Sequence, residues 1–325
     1  MATLTYRQAL NEALSEELER DNTVFLIGEE VGEYGGAFKV SQGLLKKFGP
    51  ERIIDTPISE AAFTGLAVGA AMYGLRPIVE FMNWSFALVA FDQIINNAGS
   101  IRFMSGGQFN FPIVFRGPSG GGTQIGATHS HALENWLANV PTFTVINPAF
   151  PADAKGLLKS AIRSNNPVCF FEGERLYGIQ GDVPEEKDFL VPIGKAQIVT
   201  EGKDVTVLSS GFSTHVVLQA LETLSKENIS VEMIDLRTIK PYDFDLVASS
   251  LQKTNRLVIV EEGKPFAGWG AQIAYDVQHL LFDELDAPIY RVSNLDIPNP
   301  YNGKLEQEIL PNPLRVIQAV HNVLR

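Results

Sequence analysis

Apolar and polar positions alternate in short blocks along most of the chain. Ala9, Leu10, Ala13, Leu14 and Leu18 recur at the three- and four-residue spacing of one helix face, and Thr5 stands where a side-chain oxygen can cap the first turn. "TVFLIGE" (residues 23–29) is a short apolar run between polar residues, the pattern of a buried strand. Residues 59–73 read as a helix. Residues 77–81, 112–117 and 143–148 read as strands, with helices expected at about 86–103 and 133–139 between them. A helix over 153–165 leads into the strand "PVCFFE". Strands alternating with helices predict a parallel sheet covered on both faces.

A polar stretch bearing Pro and Gly, residues 180–194, interrupts this pattern and is the candidate linker. A fresh alternation follows. "DVTVLSS", "SVEMIDL", "RLVIVEE" and "PIYRV" read as strands. Helices are expected at 214–225, at 243–251 behind an Asp243 cap, and at 271–281. The fold class is therefore α/β with two doubly wound domains, divided as 1–185, a linker over 186–202, and 203–325. No internal repeat or low-complexity tract is present.

Composition narrows the class. A chain of 325 residues is long enough for about two domains, and 45% hydrophobic with 20% charged residues fits an ordinary globular core. A net charge of −12 repels phosphate backbones, so nucleic acid is not expected as a partner. The longest apolar stretch, residues 61–75, is short of the roughly 20 residues of a membrane span, so no membrane insertion is expected. The first residues, "MATLTYRQALNEAL", lack the marks of a signal or transit peptide. A bacterial cytoplasm is expected, or an organelle interior for a plastid-encoded or processed chain. Cys169 is the only cysteine, which rules out an internal disulfide and reads as a small buried hydrophobe.

Four features carry candidate chemistry. The glycine-rich segment "RGPSGGGTQIGATHSH" has no Lys-Ser/Thr after its glycines and has Ile125 where a dinucleotide loop requires glycine, so it reads as a flexible loop at an active-site edge. His129 and His131 face one side if that segment is extended; surface, acid/base and metal-ligating readings are all open. Gly65 and Gly69 allow close packing, either in the core or against another subunit. Glu60 stands among Ile58, Ala61, Ala62 and Phe63 at a helix start. It is either a solvated first-turn glutamate or a buried functional one. Burial would raise its pKa by up to several units, against an opposing dipole effect of about 1 kcal/mol.

Longer segments carry a family resemblance. "LIGEEVGEYGGAFKVSQGL", "RIIDTPISEAAFTGLAVGAAMYGLRPIVEFM", "DQIINNA", "PIVFRGPSG", "DAKGLLKSAIRSNNPV" and "DLRTIKP" together resemble the beta subunit of pyruvate dehydrogenase, over nearly the whole chain. The resemblance implies a thiamine-diphosphate pyrimidine-binding domain followed by a transketolase-type C-terminal domain. It further implies an alpha-two, beta-two heterotetramer whose alpha subunit holds the cofactor's diphosphate and Mg2+. The chain lacks the Gly-Asp-Gly motif of that second site, since Val183 follows Gly181 and Asp182. The activity implied is oxidative decarboxylation of pyruvate, with the acetyl group passed to the lipoyl group of a dihydrolipoyl acetyltransferase. Branched-chain 2-oxoacid and acetoin dehydrogenase beta subunits are the near alternatives, and a scaffold that only docks the acyltransferase is the non-enzymatic one.

The same resemblance implies site residues. Glu60 is the acid that shares a proton with the cofactor's aminopyrimidine. Phe86 stacks on that ring and Met82 walls its pocket. Glu29 is an acid near the cofactor that relays protons. His129 acts in acetyl transfer; the role of His131 is open. A structural K+ is implied at Ile113, Ala161, Ile162, Ser164 and Asn166, mostly through backbone carbonyls, with Ser164 standing where Asp is frequent.

Overall fold

Val24–Gly28 is buried at every position, and in the computed structural model, which describes residues 1–325, it lies inside a parallel sheet. The chain forms two units, residues 1–119 with 136–193, and residues 120–135 with 194–325. Along the first part run β1 (Ala2–Thr5), α1 (Tyr6–Arg20), β2 (Val24–Gly28), α2 (Leu44–Phe48), β3 (Ile53–Asp55), α3 (Glu60–Met72), β4 (Arg76–Glu80), α4 (Ile101–Met104), β5 (Val114–Ser119), α5 (Glu134–Ala138), β6 (Thr144–Ile146), α6 (Pro151–Arg163), β7 (Val168–Gly173) and β8 (Gln180–Val183). The first unit's main sheet has the order β6–β7–β5–β4–β2–β3, and all of these neighbours pair parallel.

The cap at Thr5 is a full capping box. Gln8 N donates to Thr5 Oγ1 at 3.3 Å, and Thr5 N donates to Gln8 Oε1 at 2.8 Å. The apolar stripe expected for α1 is buried, and so is Glu17, which Arg163 Nη2 meets at 2.7 Å. The single helix expected at 86–103 is instead a 3-10 turn (Phe86–Ala90), a π turn (Asp92–Ala98) and α4. The wider turn is visible at Gly99, whose N–H reaches five residues back to Ile94 O at 2.9 Å.

The second part adds β9 (Gln197–Thr200), β10 (Val205–Ser209), α7 (Phe212–Lys226), β11 (Val231–Asp235), β12 (Thr238–Lys240), α8 (Phe244–Thr254), β13 (Leu257–Val260), α9 (Trp269–Leu280), β14 (Tyr290–Val292), α10 (Gly303–Ile309) and α11 (Pro313–Val323). Its sheet has the order β14–β13–β10–β11–β9, parallel except for β9. The valines of β10, β13 and β14 pack with Val217, Ala220 and Leu224 of α7 and Val316, Ala319 and Val320 of α11.

Three expectations need correction. Part of the stretch read as linker is strand β9, and the division falls between Ile193 and Gly194. Asp243 precedes α8 without a side-chain capping bond; its carboxylate accepts from Ala196 N at 3.3 Å instead. Residues 120–135 group with the second unit rather than with the strands that flank them in sequence.

A buried ionic cluster ties the middle of the first sheet. Arg116 on β5 is 1% exposed and Glu172 on β7 is 0% exposed. Arg116 Nε and Nη2 form a fork on the two Glu172 oxygens, its Nη1 bonds Glu80 at the end of β4, and Tyr177 Oη donates to Glu172 at 2.7 Å. Two carboxyls thus surround one guanidinium. Burial, with the Glu172 charge adding to it, holds the Glu80 carboxyl above the usual range against the pull of Arg116. Arg116→Met would strand both carboxyls. Urea unfolding should then show a loss of about 3–5 kcal/mol, the scale of a broken buried pair; a loss under about 1 kcal/mol would show that the cluster does not support the sheet.

Candidate active site

The carboxyl edge of a parallel sheet is where α/β proteins place ligands, because side chains on successive strand ends converge there. In this sheet Gly28 of β2 is in register with Asp55 of β3 and with Glu80 of β4. Glu29, the 56–60 turn and the 81–86 segment therefore all leave from the same edge of three neighbouring strands. These segments carry Glu29, Glu60, Met82 and Phe86.

Glu60 is the first residue of α3 and is 8% exposed, so the buried alternative holds rather than the solvated one. Ser59 before it makes no side-chain cap. Phe86 opens the 3-10 turn, and both it and Met82 are half-buried. Asp55 braces the site from below, accepting from Gly32 N at 2.6 Å and Glu33 N at 3.0 Å, which pins the loop that follows Glu29. That role had only a weak signal in sequence, an acid at the end of a short apolar pair.

Glu29 is the group whose proton affinity is raised. It is buried, its Oε1 has no hydrogen-bond partner, and its pKa is pushed up to about 7, first by burial and second by the charge of Glu60. Thr56 Oγ1, in the turn before Glu60, is likewise buried without a partner. The edge therefore offers unsatisfied polar atoms, two acids within electrostatic reach and an aromatic ring. Such a set fits a flat, polar, partly aromatic ligand such as an aminopyrimidine.

His129 and His131 lie in the second unit. Residues 127–129 form a turn rather than an extended segment, with His129 N donating to Gly126 O at 3.3 Å. The two histidines therefore do not face one side of an extended segment, as expected from their spacing. His129 Nδ1 is 2.9 Å from Thr128 Oγ1. Burial, then Lys264 and His129, hold the pKa of His131 below the ordinary range.

The five residues expected at the K+ site cluster by the end of α6, and their carbonyls have donors. Ile113 O accepts from Val168 N at 2.9 Å and Ala161 O from Ser164 N at 3.1 Å. Ile162 O and Ser164 O both accept from Arg76 Nη1 at 3.0 Å, and Asn166 O from Ser164 Oγ at 3.2 Å. A guanidinium thus already sits at the negative end of α6. Each carbonyl has a second lone pair, so a monovalent cation fits only by sharing Ile162 O and Ser164 O with Arg76 and the other oxygens with their own donors.

Close packing holds at Gly65 and not at Gly69. A Cβ on Gly65 would meet Gln93 Oε1 at 3.2 Å, whereas Gly69 has open space. Gly69 lies on an exposed face of α3 with Ala62, Leu66 and Tyr73. No helix is long and apolar enough to cross a membrane.

Fold and site together define a protein of the transketolase class. Residues 2–180 match the family described as transketolase, pyrimidine binding domain, and residues 194–316 match transketolase, C-terminal domain. The chain is 51% identical to the pyruvate dehydrogenase E1 component subunit beta of Rhizobium meliloti (strain 1021), over 99% of this chain and 70% of that protein. It is 52% identical to the subunit of the same name from Rickettsia felis (strain ATCC VR-1525 / URRWXCal2), over 98% of each. A solved structure titled "Split gene transketolase, inactive beta4 tetramer" superposes with a TM-score of 0.79 at 25% identity, over 99% of this chain and 98% of that one. The chain belongs to the family of pyruvate dehydrogenase E1 component beta subunits.

Two measurements check the site. Glu29 has a folded pKa near 7 against an ordinary value of 4.5, so the folded state holds the extra proton between these values. Folding stability from this group is full below about pH 4.5 and is lost as pH rises through 7. Glu29→Gln should flatten that loss in urea unfolding at pH 5 and pH 8; an unchanged pH slope would remove the raised pKa. For the carbonyl cluster, the melting temperature should rise when choline chloride is replaced by KCl at equal ionic strength. Equal melting temperatures would leave Arg76 and Arg102 as the cluster's cations.

Proposed function

We propose that this chain, with an alpha subunit, carries out the oxidative decarboxylation of pyruvate and the transfer of the acetyl group to a lipoyl group. The substrate comes from the name shared by relatives at about half identity over nearly the whole chain. The carrying observation is the pairing of Glu29 and Glu60 on one sheet edge, one of them holding its proton near neutrality.

When bound, thiamine diphosphate supplies a nucleophilic carbon and an electron sink for decarboxylation. In this reading Glu60 holds a proton at the ring nitrogen of the aminopyrimidine. Burial suits that role, because a ring that reaches the Glu60 carboxyl meets it out of water and without competition from solvent. Phe86 orients the ring by stacking and Met82 fills its flank. Glu29 keeps a proton to within about one unit of neutral pH and can return one to Glu60. His129 serves acetyl transfer as acid and base. The alpha subunit supplies the diphosphate and Mg2+ contacts, and the exposed apolar face of α3 offers a subunit partner a surface. A dihydrolipoyl acetyltransferase receives the acetyl group. The carbonyl cluster at the end of α6 takes K+ beside Arg76.

Glu60→Gln in the assembled alpha-beta complex should lower pyruvate turnover by about 100-fold or more, the scale of a lost acid/base group. Turnover within about twofold of the parent would leave a docking scaffold as the better account. The parent complex should prefer pyruvate to 3-methyl-2-oxobutanoate; the reverse preference would assign it to the branched-chain enzymes.

A further inference from the structure

The glycine-rich loop is clamped by two carboxylates of its own unit. Glu262 Oε1 accepts from Gly121 N at 2.7 Å. Glu306 accepts twice, Oε1 from Gly122 N at 2.9 Å and Oε2 from Gln124 N at 3.0 Å. Backbone N–H groups converging on an anion are the device that phosphate loops use. Here the anions are the protein's own side chains.

The glycines follow from the clamp. Gly120 has φ +91, and a Cβ there would stand 2.5 Å from Glu262 Oε1; a Cβ on Gly121 would overlap the Asn299 amide. The backbone has to come this close for its N–H groups to reach the carboxylates. Glu306 is itself fixed. It is 1% exposed and lies on α10, whose first turn Asn302 caps by accepting from Lys304 N at 3.1 Å and Leu305 N at 3.2 Å.

The clamp acts on the segment that carries His129. Gly120 N donates to His131 O at 3.0 Å, closing the loop on itself. Ser130 Oγ donates to Gly126 O at 2.8 Å, and Asn135 Nδ2 to Ala267 O at 2.9 Å. Between the clamp and these ties, the imidazole has little backbone freedom left.

We infer that Glu306, seconded by Glu262, is a positioning residue for His129 and sets the rate of acetyl transfer rather than of decarboxylation. The inference rests on the reading of His129 given above. In that transfer the two-carbon unit is oxidised to acetyl and the lipoyl S–S bond breaks. One sulfur would form the thioester as the two-carbon unit's bond to the cofactor breaks; the other sulfur would take a proton from a correctly placed imidazolium, and the imidazole would take back the proton leaving the unit's hydroxyl. A loosened loop lowers the fraction of complexes in which the imidazole is in place.

The test uses the assembled alpha-beta complex with Glu306→Gln, and with Glu262→Gln as a second variant should the first fail to fold. Hydrogen exchange of residues 120–131 is measured beside two rates, decarboxylation read with an artificial electron acceptor and reductive acetylation of a lipoyl domain. In Glu306→Gln, exchange of the Gly122 and Gln124 amides should rise about tenfold or more as their acceptor weakens, and in Glu262→Gln that of the Gly121 amide; acetylation should fall by a similar factor. Decarboxylation should stay within about twofold. Unchanged exchange would overturn the clamp. Faster exchange with both rates falling together would make Glu306 merely structural, and faster exchange with neither rate changed would overturn the assignment of His129.

Discussion

A single guanidinium holds the middle of the first sheet. Arg116 is buried and joins the ends of β4 and β7 through Glu80 and Glu172. Parallel strands supply no such link by themselves, since their hydrogen bonds fix register without fixing what leaves the strand ends. Residues 81–86 follow directly on Glu80, so the anchoring of that carboxyl sets where Met82 and Phe86 begin. The cost is a charged cluster out of water. Burial first, and the neighbouring Glu172 charge after it, raise the affinity of Glu80 for a proton against the pull of Arg116.

Above that cluster the same conflict recurs in usable form. Glu29 and Glu60 lie within electrostatic reach, and burial weakens water's screening of their repulsion. One proton is therefore retained near neutral pH. An acid pair that holds a single proton is suited to passing it, whereas a pair neutralised by arginine is not. The Glu80 and Glu172 cluster contains a guanidinium, whereas the pKa of Glu29 is raised by burial and by the charge of Glu60.

Much of this was legible in the sequence, where one local pattern decided the outcome. The α1 stripe, the buried β2 run and the helix opening at Glu60 depend on spacing within a few residues, and the structure has them with boundaries moved by one or two positions. What sequence reading lost depends on distant partners. Glu80, Arg116 and Glu172 are ordinary strand residues until the sheet order brings them together. Strand β9 was read as linker because it is only partly buried and pairs antiparallel at a sheet edge, so it has no continuous apolar run. Asp243 looked like a cap, but its carboxylate is taken by Ala196 N, some 47 positions away. That burial raises the carboxyl of Glu29 could not be read from neighbouring residue types, because its unbonded oxygen depends on distant packing.

The glycine-rich loop shows why composition misleads about flexibility. Three glycines in a row with threonine and glutamine lack the side chains that usually fix a loop, and they read as mobile. Here the backbone is the binding group, and the absence of side chains lets it approach Glu262, Asn299 and Glu306. Glycine raises the entropy lost on ordering, and charge-assisted bonds to carboxylates offset that loss. A loop ordered this way is rigid only while its acceptors stay in place. Its conformation is therefore controlled from α10 and the end of β13, which lie far along the chain from the histidine it carries.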